Sequence, residues 1–330
     1  KILRESDDYV SGQQLCDQFG VSRTAVWKAI SQLREEGYDI EAVKNRGYKL
    51  GSGETPDLLT ASEIVSRLHT EQMGKTCIFL ESVDSTNNYA KRIAEQGAET
   101  GTLVVAEEQT GGKGRRGRSW ETPKGANIAM TILLKPQIRP EHASRLTLLM
   151  AMAVVRGIQS VTGLEAGIKW PNDVVVDGHK VCGILTEMST EVDYINYVVI
   201  GTGINVNQTE FPEEIREIAG SLKQAAGHAI ARAELVAVVM EELEDLYGTF
   251  LKTEDLSALT ISIQRSPAPC SLHKRRNGRS VTPAMGARIR LFFRLTSPIF
   301  SVCIILPHPH QGRTLYSTVP VTVTAPPFLS

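Results

Sequence analysis

The chain has 330 residues, with 36 Lys/Arg against 37 Asp/Glu, a formal net charge of −1 and 42% apolar residues. That composition suffices for two or three packed domains. Five scattered cysteines argue against a disulfide framework or a metal site and favour reduced thiols in the cytoplasm. No secretory or membrane-spanning pattern occurs up to residue 255, so we expect a cytoplasmic protein that binds no membrane. The chain begins with Lys1 rather than Met, and we expect a few residues to precede it.

Residues 1–50 match the pattern of a winged helix-turn-helix. Residues 11–19 form the first predicted helix, Gly20 the turn, and Ser22 the cap of a second helix that Gly37 ends. Val26, Ile30 and Leu33 recur at helical spacing and predict its buried stripe. The capping serine and the residues outside this stripe near the start of the helix are predicted to contact the major groove of DNA. They are Ser22, Arg23, Thr24, Trp27 and Lys28.

A hairpin follows the second helix. Residues 38–43 and 47–50 alternate around a tip that carries Lys44 and Arg46, two cations suited to backbone phosphates. This hairpin is the predicted wing. The segment has eight Lys/Arg and eight Asp/Glu, so the pattern and not the net charge carries the prediction. A small helical protein-interaction module is the alternative.

Residues 51–60 are polar and rich in glycine and proline, which predicts a linker. Residues 61–256 alternate strand and helix patterns without a clean βα repeat and predict an α+β domain with a mixed sheet. Asp177–Gly178 is a predicted hairpin turn, and residues 146–161 a long buried helix. The predicted strands are 77–80, 103–105, 128–134, 174–176, 181–187 and 197–200.

The loop at residues 110–120 packs four glycines and four cations between two predicted buried strands. Glycines let backbone N–H groups face a ligand, and Lys and Arg neutralise phosphate, so the loop is suited to hold an anion. A solvated basic loop is the alternative. A P-loop is not, because Arg118 stands where that motif has lysine and residues 120–125 do not begin a helix.

Five motifs stand in the order that identifies a known family. The chain resembles, over roughly residues 1–250, the bifunctional biotin protein ligases that also act as biotin repressors. The resemblance implies a class II synthetase-like, mixed-sheet catalytic domain related to lipoate ligases, and a C-terminal SH3-like barrel. The motifs are Asp84-Ser-Thr-Asn-Asn88, Gln109 with the Gly/Arg loop, Lys169-Trp-Pro-Asn-Asp173, Lys180-Val-Cys-Gly-Ile-Leu185 and Gly201-Thr-Gly-Ile-Asn205.

The resemblance also implies a two-step reaction. Biotin and ATP, the latter carrying Mg²⁺, give biotinyl-5′-adenylate and pyrophosphate, and a lysine of a biotin carboxyl carrier protein then attacks the mixed anhydride. No enzyme nucleophile is required, and residues 61–256 show no serine elbow and no Cys/His spacing of a zinc site. We expect catalysis by positioning and charge stabilisation.

Roles follow for residues that match the motifs. Around biotin, the resemblance implies that Ser85, Thr86 and Asn87 lie near the ureido ring, with Ser85 also a plausible N-cap. The same family pattern implies that Gln109 and the backbone of the loop close over the ligand. The expected biotin-binding set is Ser85, Thr86, Asn87, Gln109, Lys113, Gly114, Arg115 and Lys169.

The expected catalytic residues are Arg115, which holds the adenylate, and Lys169, which contacts the biotin carboxylate and α-phosphate. Trp120 is expected to stack on adenine. The family loop commonly has arginine where this chain has Lys113, which removes a bidentate phosphate contact. The expected nucleotide-binding set is Arg115, Arg116, Arg118, Trp120, Asn172 and Asn205.

In the family the adenylate is a corepressor that orders loops and promotes a homodimer on palindromic operator DNA. Two other functions stay open for this chain. One is a lipoate-type ligase, which would not need an N-terminal winged helix, and the other is a ligand-sensing regulator without transfer activity, which would not need the whole set of Lys169, Gln109 and the cationic loop.

The last seventy-five residues differ in composition from the rest. They contain no Asp or Glu, nine Lys/Arg and nine of the fifteen prolines, and they show no sustained period of 2 or 3.6. We find no trace of the family's barrel there. Our hypothesis for residues 257–330 is an out-of-frame, chimeric or disordered terminus, and the alternative is a basic tail that binds nucleic acid, favoured by residues 274–279.

Overall fold

The computed structural model describes residues 2–51, 56–254 and 256, together with the backbone of three strands in the tail. Residues 2–50 form the predicted winged helix-turn-helix. Its strands pair in antiparallel register as a hairpin, which is the predicted wing. The elements are α1 (Ile2–Glu5), α2 (Gly12–Phe19), α3 (Arg23–Glu35), β1 (Ile40–Val43) and β2 (Gly47–Leu50).

Local signals explain where these helices begin and end. Ser11 and Ser22 occupy N-cap positions, and their hydroxyls accept the backbone N–H groups of Gln14 at 3.0 Å and Ala25 at 3.2 Å. Gly20 ends α2 in the left-handed conformation, with φ of 64°. Val26 and Ile30 of α3 are buried in the domain's own core, so the predicted stripe is confirmed.

The second domain is built on a seven-stranded mixed sheet in the order β3-β4-β5-β9-β8-β7-β6. The pair β3 and β4 is parallel and the other neighbours are antiparallel. The predicted mixed sheet is therefore confirmed. Its strands are β3 (Cys77–Val83), β4 (Leu103–Gln109), β5 (Ile128–Leu134), β6 (Ala166–Lys169), β7 (Asp173–Val176), β8 (His179–Thr190) and β9 (Ile195–Ile204).

The helices cover the two faces of this sheet unequally. The long helices α6 and α8 pack against each other, and residues of both belong to the main apolar core with the sheet. The predicted buried helix at 146–161 is thus confirmed within α6. A smaller cluster under α5 includes Ala90 and Val199 on the opposite face. The helices are α4 (Ala61–Arg67), α5 (Thr86–Glu95), α6 (Ser144–Thr162), α7 (Leu222–Ala226) and α8 (Arg232–Thr253).

The predicted linker is only partly a tether. Residues 52–55 lie outside the described residues, but Leu58 packs on the core of the winged helix domain and Leu59 is buried in that of the second domain. Arg4 of α1 also binds Glu63 of α4 through two bonds of 3.0 and 3.2 Å. The two domains are therefore not joined by the linker alone, because apolar and ionic contacts also connect them.

Three strands lie in the tail: β10 (Leu291–Thr296), β11 (Ile299–His310) and β12 (Arg313–Val323), which pair as an antiparallel sheet. These three segments are strands although the sequence of the tail shows no sustained period of 2. Polar and apolar residues alternate along a strand only when the two faces of the strand meet different surroundings. The other residues of 257–330, and with them the hypothesis about the origin of the tail, lie outside the described residues.

Arg232, the first residue of α8, is 2% exposed and holds several segments together. Its backbone N–H donates to Oδ1 of Asp57 and its side-chain Nε donates to Oδ2 of the same carboxylate, both at 2.8 Å. Its Nη1 donates to Glu107 at 2.8 Å and to the carbonyl of Asn127 at 3.2 Å. The buried guanidinium therefore ties the end of the linker to β4 and to the start of β5.

We expect Arg232→Met to lower the free energy of unfolding by about 3–5 kcal/mol, because it leaves the carboxylates of Asp57 and Glu107 without their cation. Arg156→Met is the matched control, since that arginine pairs with Glu242 at the surface, where such a pair contributes about 1 kcal/mol or less. Denaturant unfolding of both variants measures the difference. Equal losses in the two variants would contradict the role of Arg232.

Candidate functional site

A cleft lies where the start of α5, the end of β4 and the 110–120 loop meet the face of the sheet that α5 partly covers. The cleft brings together nine of the predicted site residues: Ser85, Thr86, Asn87, Gln109, Lys113, Gly114, Arg115, Trp120 and Asn172. Further lining residues come from the three central strands: Ala129, Lys180, Gly183, Ile184, Leu185, Gly201, Thr202 and Gly203.

The floor of the cleft is formed by sheet backbone at positions that carry no side chain. A Cβ atom on Gly201 would stand 2.2 Å from Oδ1 of Asn87, and one on Gly203 would stand 2.3 Å from the indole of Trp120. Both distances are far below van der Waals contact. Glycine at these positions therefore lets an amide from α5 and an indole from the loop lie directly on the backbone of β9.

Gln109 caps the start of α5. Its Oε1 accepts the backbone N–H of Thr86 at 2.9 Å and the hydroxyl of Thr86 at 3.0 Å. Ser85 stands at the N-cap position and is buried, but its hydroxyl makes no capping hydrogen bond. The prediction that Ser85 caps this helix is corrected, because the side chain of Gln109 reaches the first helix amide from the neighbouring strand.

Asn87 is fully engaged beneath the cleft. Its Nδ2 donates to the carbonyl of Leu185 at 3.1 Å and to Glu187 at 2.8 Å, and its Oδ1 accepts the hydroxyl of Thr131 at 2.7 Å. Burial raises the pKa of Glu187, but hydrogen bonds from Asn87 and Lys91 outweigh it, so this pKa lies below its ordinary value. Glu187 is therefore ionised at neutral pH.

The 110–120 loop, which we call the flap, is held by its own backbone. Gly114 N–H donates to Arg118 O at 2.7 Å, and Trp120 N–H donates to Gly112 O at 2.9 Å. Thr122 forms an isolated bridge with Gln109, and residues 124–126 form a turn that leads into β5, so no helix follows the flap. The exclusion of a P-loop is confirmed.

Arg115 crosses the cleft from the flap. Its Nη1 donates to Oδ1 of Asn172 at 2.9 Å, and Nδ2 of Asn172 donates to the carbonyl of Ile184 at 3.0 Å. The flap is thereby joined to the Lys169–Asp173 motif. Arg116 and Arg118 are exposed and do not line the cleft, and Arg116 has a left-handed φ of 58°.

A second lysine lines the cleft beside Lys113: Lys180, which we did not assign from the sequence. Its Nζ lies 2.8 Å from Asp173 and 5.5 Å from the centroid of Trp120. Lys169 ends β6, is exposed and lies outside the cleft lining. The signal was available, because Lys180 opens one of the five motifs and stands three residues before Gly183, where β8 carries no side chain.

Asn205 is buried away from the cleft lining. Its Nδ2 donates to the carbonyl of Gly220 at 3.1 Å, and its N–H donates to Val181 O at 2.8 Å. These bonds join the end of β9 to the segment that precedes α7. In this structure Asn205 therefore supports the sheet beside the cleft.

The candidate DNA-binding residues occupy one exposed surface of the winged helix domain. Arg23, Thr24, Trp27 and Lys28 are exposed at the start of α3, and Trp27 is 61% exposed. At the wing, Lys44 is exposed, whereas Arg46 binds Asp8 at 3.1 Å and lies over the ring of Tyr9. Arg46 is thus already engaged within the domain, and Arg23 likewise donates to Gln13.

Comparisons with known proteins match both domains. Residues 79–205 match the biotin/lipoate A/B protein ligase family, and residues 1–49 match a helix-turn-helix domain model. The chain is 45% identical to the bifunctional ligase/repressor BirA of Bacillus spizizenii, over 74% of this chain and 75% of the relative. It is 33% identical to the BirA of Escherichia coli, over 73% of each chain.

The chain belongs to the biotin protein ligase/repressor family. A solved structure, the biotin protein ligase from Aquifex aeolicus in complex with biotin and ATP, is 26% identical. It superposes with a TM-score of 0.50 and covers 76% of this chain and 100% of that one. Among the described residues of this family member, no helix is long and apolar enough to cross a membrane.

We expect Gly203→Ala to displace the indole of Trp120, because the added Cβ would collide with it. The other two tryptophans, Trp27 and Trp170, are mostly exposed, so a red shift in emission and faster iodide quenching would report Trp120 alone. Gly248→Ala is the control, since nothing lies within 4 Å of its added Cβ. Unchanged emission in Gly203→Ala would contradict the packing of the indole on β9.

Proposed function

We propose that the protein is a cytoplasmic, ATP-dependent ligase that forms biotinyl-5′-adenylate and transfers biotin to a lysine of a biotin carboxyl carrier protein. The observation that carries this proposal is the cleft itself. Hydroxyl and amide groups of α5 and Gln109 line one side, and two cations, Lys180 and Arg115, line the other. A ligand with a polar ring at one end and an anion at the other suits both sides.

The reaction requires no covalent enzyme intermediate. A carboxylate oxygen of biotin attacks the α-phosphorus of ATP, and the bond to pyrophosphate breaks. The amine of the carrier lysine then attacks the acyl carbon, AMP leaves, and the amine loses its proton. Charge on phosphate builds up in the first step, so fixed cations at this point lower the barrier.

We assign the phosphate contacts to Lys180 and Arg115. Lys180 is oriented by Asp173, and Arg115 is oriented by Asn172. Trp120 lies beside Lys180, which suits stacking with adenine. Mg²⁺ would arrive with ATP, bound by its phosphate oxygens. The predicted contacts of Lys169, Arg116, Arg118 and Asn205 with ligand remain predictions.

The direct test supplies labelled biotin, ATP and a carrier domain, and measures adenylate formation and transfer separately. Adenylate and labelled carrier are expected. Labelling with octanoate but not with biotin would favour the lipoate-type alternative, whereas adenylate binding without transfer would favour a ligand-sensing regulator. Absence of biotin and adenylate binding in calorimetry would refute the ligase proposal.

We expect Arg115→Gly to release adenylate that labels lysines indiscriminately, because the arginine that spans the cleft no longer holds the mixed anhydride. The assay adds serum albumin as a bystander and follows its biotinylation. Lys124→Gly is the control, since Lys124 pairs with Glu81 at the surface outside the cleft. A purified Arg115→Gly that biotinylates only the carrier would refute the role of Arg115.

We also propose that the winged helix domain binds operator DNA and represses biotin synthesis genes, with the adenylate as corepressor and a homodimer as the bound form. The exposed polar and basic residues at the start of α3 and on the wing support this role. The coupling is reciprocal: an adenylate that favours the dimer must bind the dimer more tightly by the same factor. Sedimentation with and without adenylate tests the coupling.

We expect Lys28→Gln to weaken binding to a duplex of random sequence and to lower the salt slope by about 0.9, because one phosphate contact is lost. Fluorescence anisotropy at several salt concentrations measures that slope. Lys252→Gln is the control, since Lys252 lies in the last turn of α8. A salt slope unchanged by Lys28→Gln would place this face of α3 away from DNA.

A further inference from the structure

Glu187 lies behind the α5 side of the cleft and does not line it. Its two carboxylate oxygens have different partners. Oε2 accepts Nδ2 of Asn87 at 2.8 Å, and Oε1 accepts Nζ of Lys91, one turn further along α5, at 2.9 Å. The carboxylate thus joins β8 to the first two turns of α5. Neither the sequence motifs nor the reaction uses this residue.

The carboxylate decides which way the amide of Asn87 faces. An ionised carboxylate only accepts hydrogen bonds, so the amide NH₂ group must face Glu187, and the carbonyl of Leu185 on the same side also only accepts. The amide oxygen is then directed to Thr131, whose hydroxyl donates to it at 2.7 Å. The carboxylate, together with the Leu185 carbonyl, therefore fixes both ends of the amide.

This orientation extends to the cleft wall. The single hydroxyl hydrogen of Thr131 lies on its bond to Asn87. Thr86 Oγ1 lies 2.8 Å from Thr131 Oγ1 and 3.0 Å from Gln109 Oε1, so its own hydrogen is used by one of these protein oxygens. What Thr86 presents to the cleft is an oxygen lone pair, which accepts a ligand N–H.

We propose that Glu187 is a positioning residue that, through Asn87 and Thr131, makes this wall of the cleft a hydrogen-bond acceptor for an N–H of the biotin ureido ring. The inference rests on the proposed function, which assigns biotin to this side of the cleft. Without an acceptor at position 187, only the carbonyl of Leu185, at 3.1 Å, holds the NH₂ group of Asn87. An amide that turns over would reverse the order of donors and acceptors along the wall.

The pair with Lys91 contributes little to stability, which makes the role testable. Both side chains are about one third exposed, and such pairs contribute about 1 kcal/mol or less. The charges that face Glu187 are Lys91 on α5 and Lys113 on the flap, and both favour the ionised form. A folded protein is therefore expected after substitution of Glu187.

Calorimetry on the full chain with biotin alone and with ATP alone tests the proposal. We expect Glu187→Leu to weaken biotin binding about tenfold and leave ATP binding unchanged, whereas Glu187→Gln, which keeps an acceptor oxygen for Asn87, stays within about threefold of the parent chain. Lys91→Met leaves the contact between Glu187 and Asn87 in place and should also stay within about threefold.

The outcomes separate the two proposals. If the unsubstituted chain does not bind biotin, the proposed function fails first. If it binds biotin and Glu187→Leu binds equally well, the role of Glu187 is overturned. Equal losses for biotin and ATP in Glu187→Leu would also overturn it, because a general structural defect does not distinguish the two ligands.

A spectroscopic readout does not depend on the leucine variant. We expect the side-chain amide resonances of Asn87 in the unsubstituted chain to shift with the ionisation of Glu187, at a pH below the ordinary range for glutamate, since the pKa of Glu187 is lowered. The shift should be absent from Glu187→Gln. Asn87 resonances that do not respond to pH in the parent chain would overturn the proposal.

Discussion

The cleft exists because three positions on adjacent strands carry no side chain. Gly183 on β8 and Gly201 and Gly203 on β9 leave the sheet bare on one face, and Asn87 and Trp120 lie in the space that Cβ atoms would otherwise take. On the opposite face, alternate residues of the same strands belong to the main core. A strand with one packed face and one bare face is held rigidly while its backbone remains close to a ligand.

The walls of the cleft differ in how they are held. On the sheet side, Lys180 is fixed by Asp173, and its neighbour Cys182 is buried in the core, where burial raises the pKa of the thiol. On the flap side, the side chain of Arg115 has one hydrogen bond to the residues that the structure describes, which is its bond to Asn172. The sheet cation is therefore held by a carboxylate on the neighbouring strand β7, whereas the flap cation keeps its place only while the flap lies against the Lys169–Asp173 motif. An anion between them would add a second partner for Arg115.

Residues whose role depends on local pattern were predictable from the sequence. The caps Ser11 and Ser22, the turn at Asp177–Gly178 and six of the seven strands of the main sheet follow from spacing alone, and they are found. The short strand β6 was not predicted. The role of Gln109 as a cap was not predictable, because its partner Thr86 lies 23 residues away. The same limit applies to Glu187 and Asp57, whose partners come from other elements.

The joint between the domains shows what such distant contacts add. Glu63 is buried and meets Arg4 of the winged helix domain, Arg67 of its own helix and the hydroxyl of Tyr38. Burial alone would raise the pKa of Glu63, but these partners lower it by more than burial raises it, so the pKa lies below its ordinary value. A lowered folded-state pKa contributes stability above the unfolded pKa and loses it as pH falls through the folded one. Glu63 therefore stays ionised at neutral pH, and its contact with Arg4 joins the winged helix domain to α4. Any coupling between adenylate and DNA would have to act across this joint.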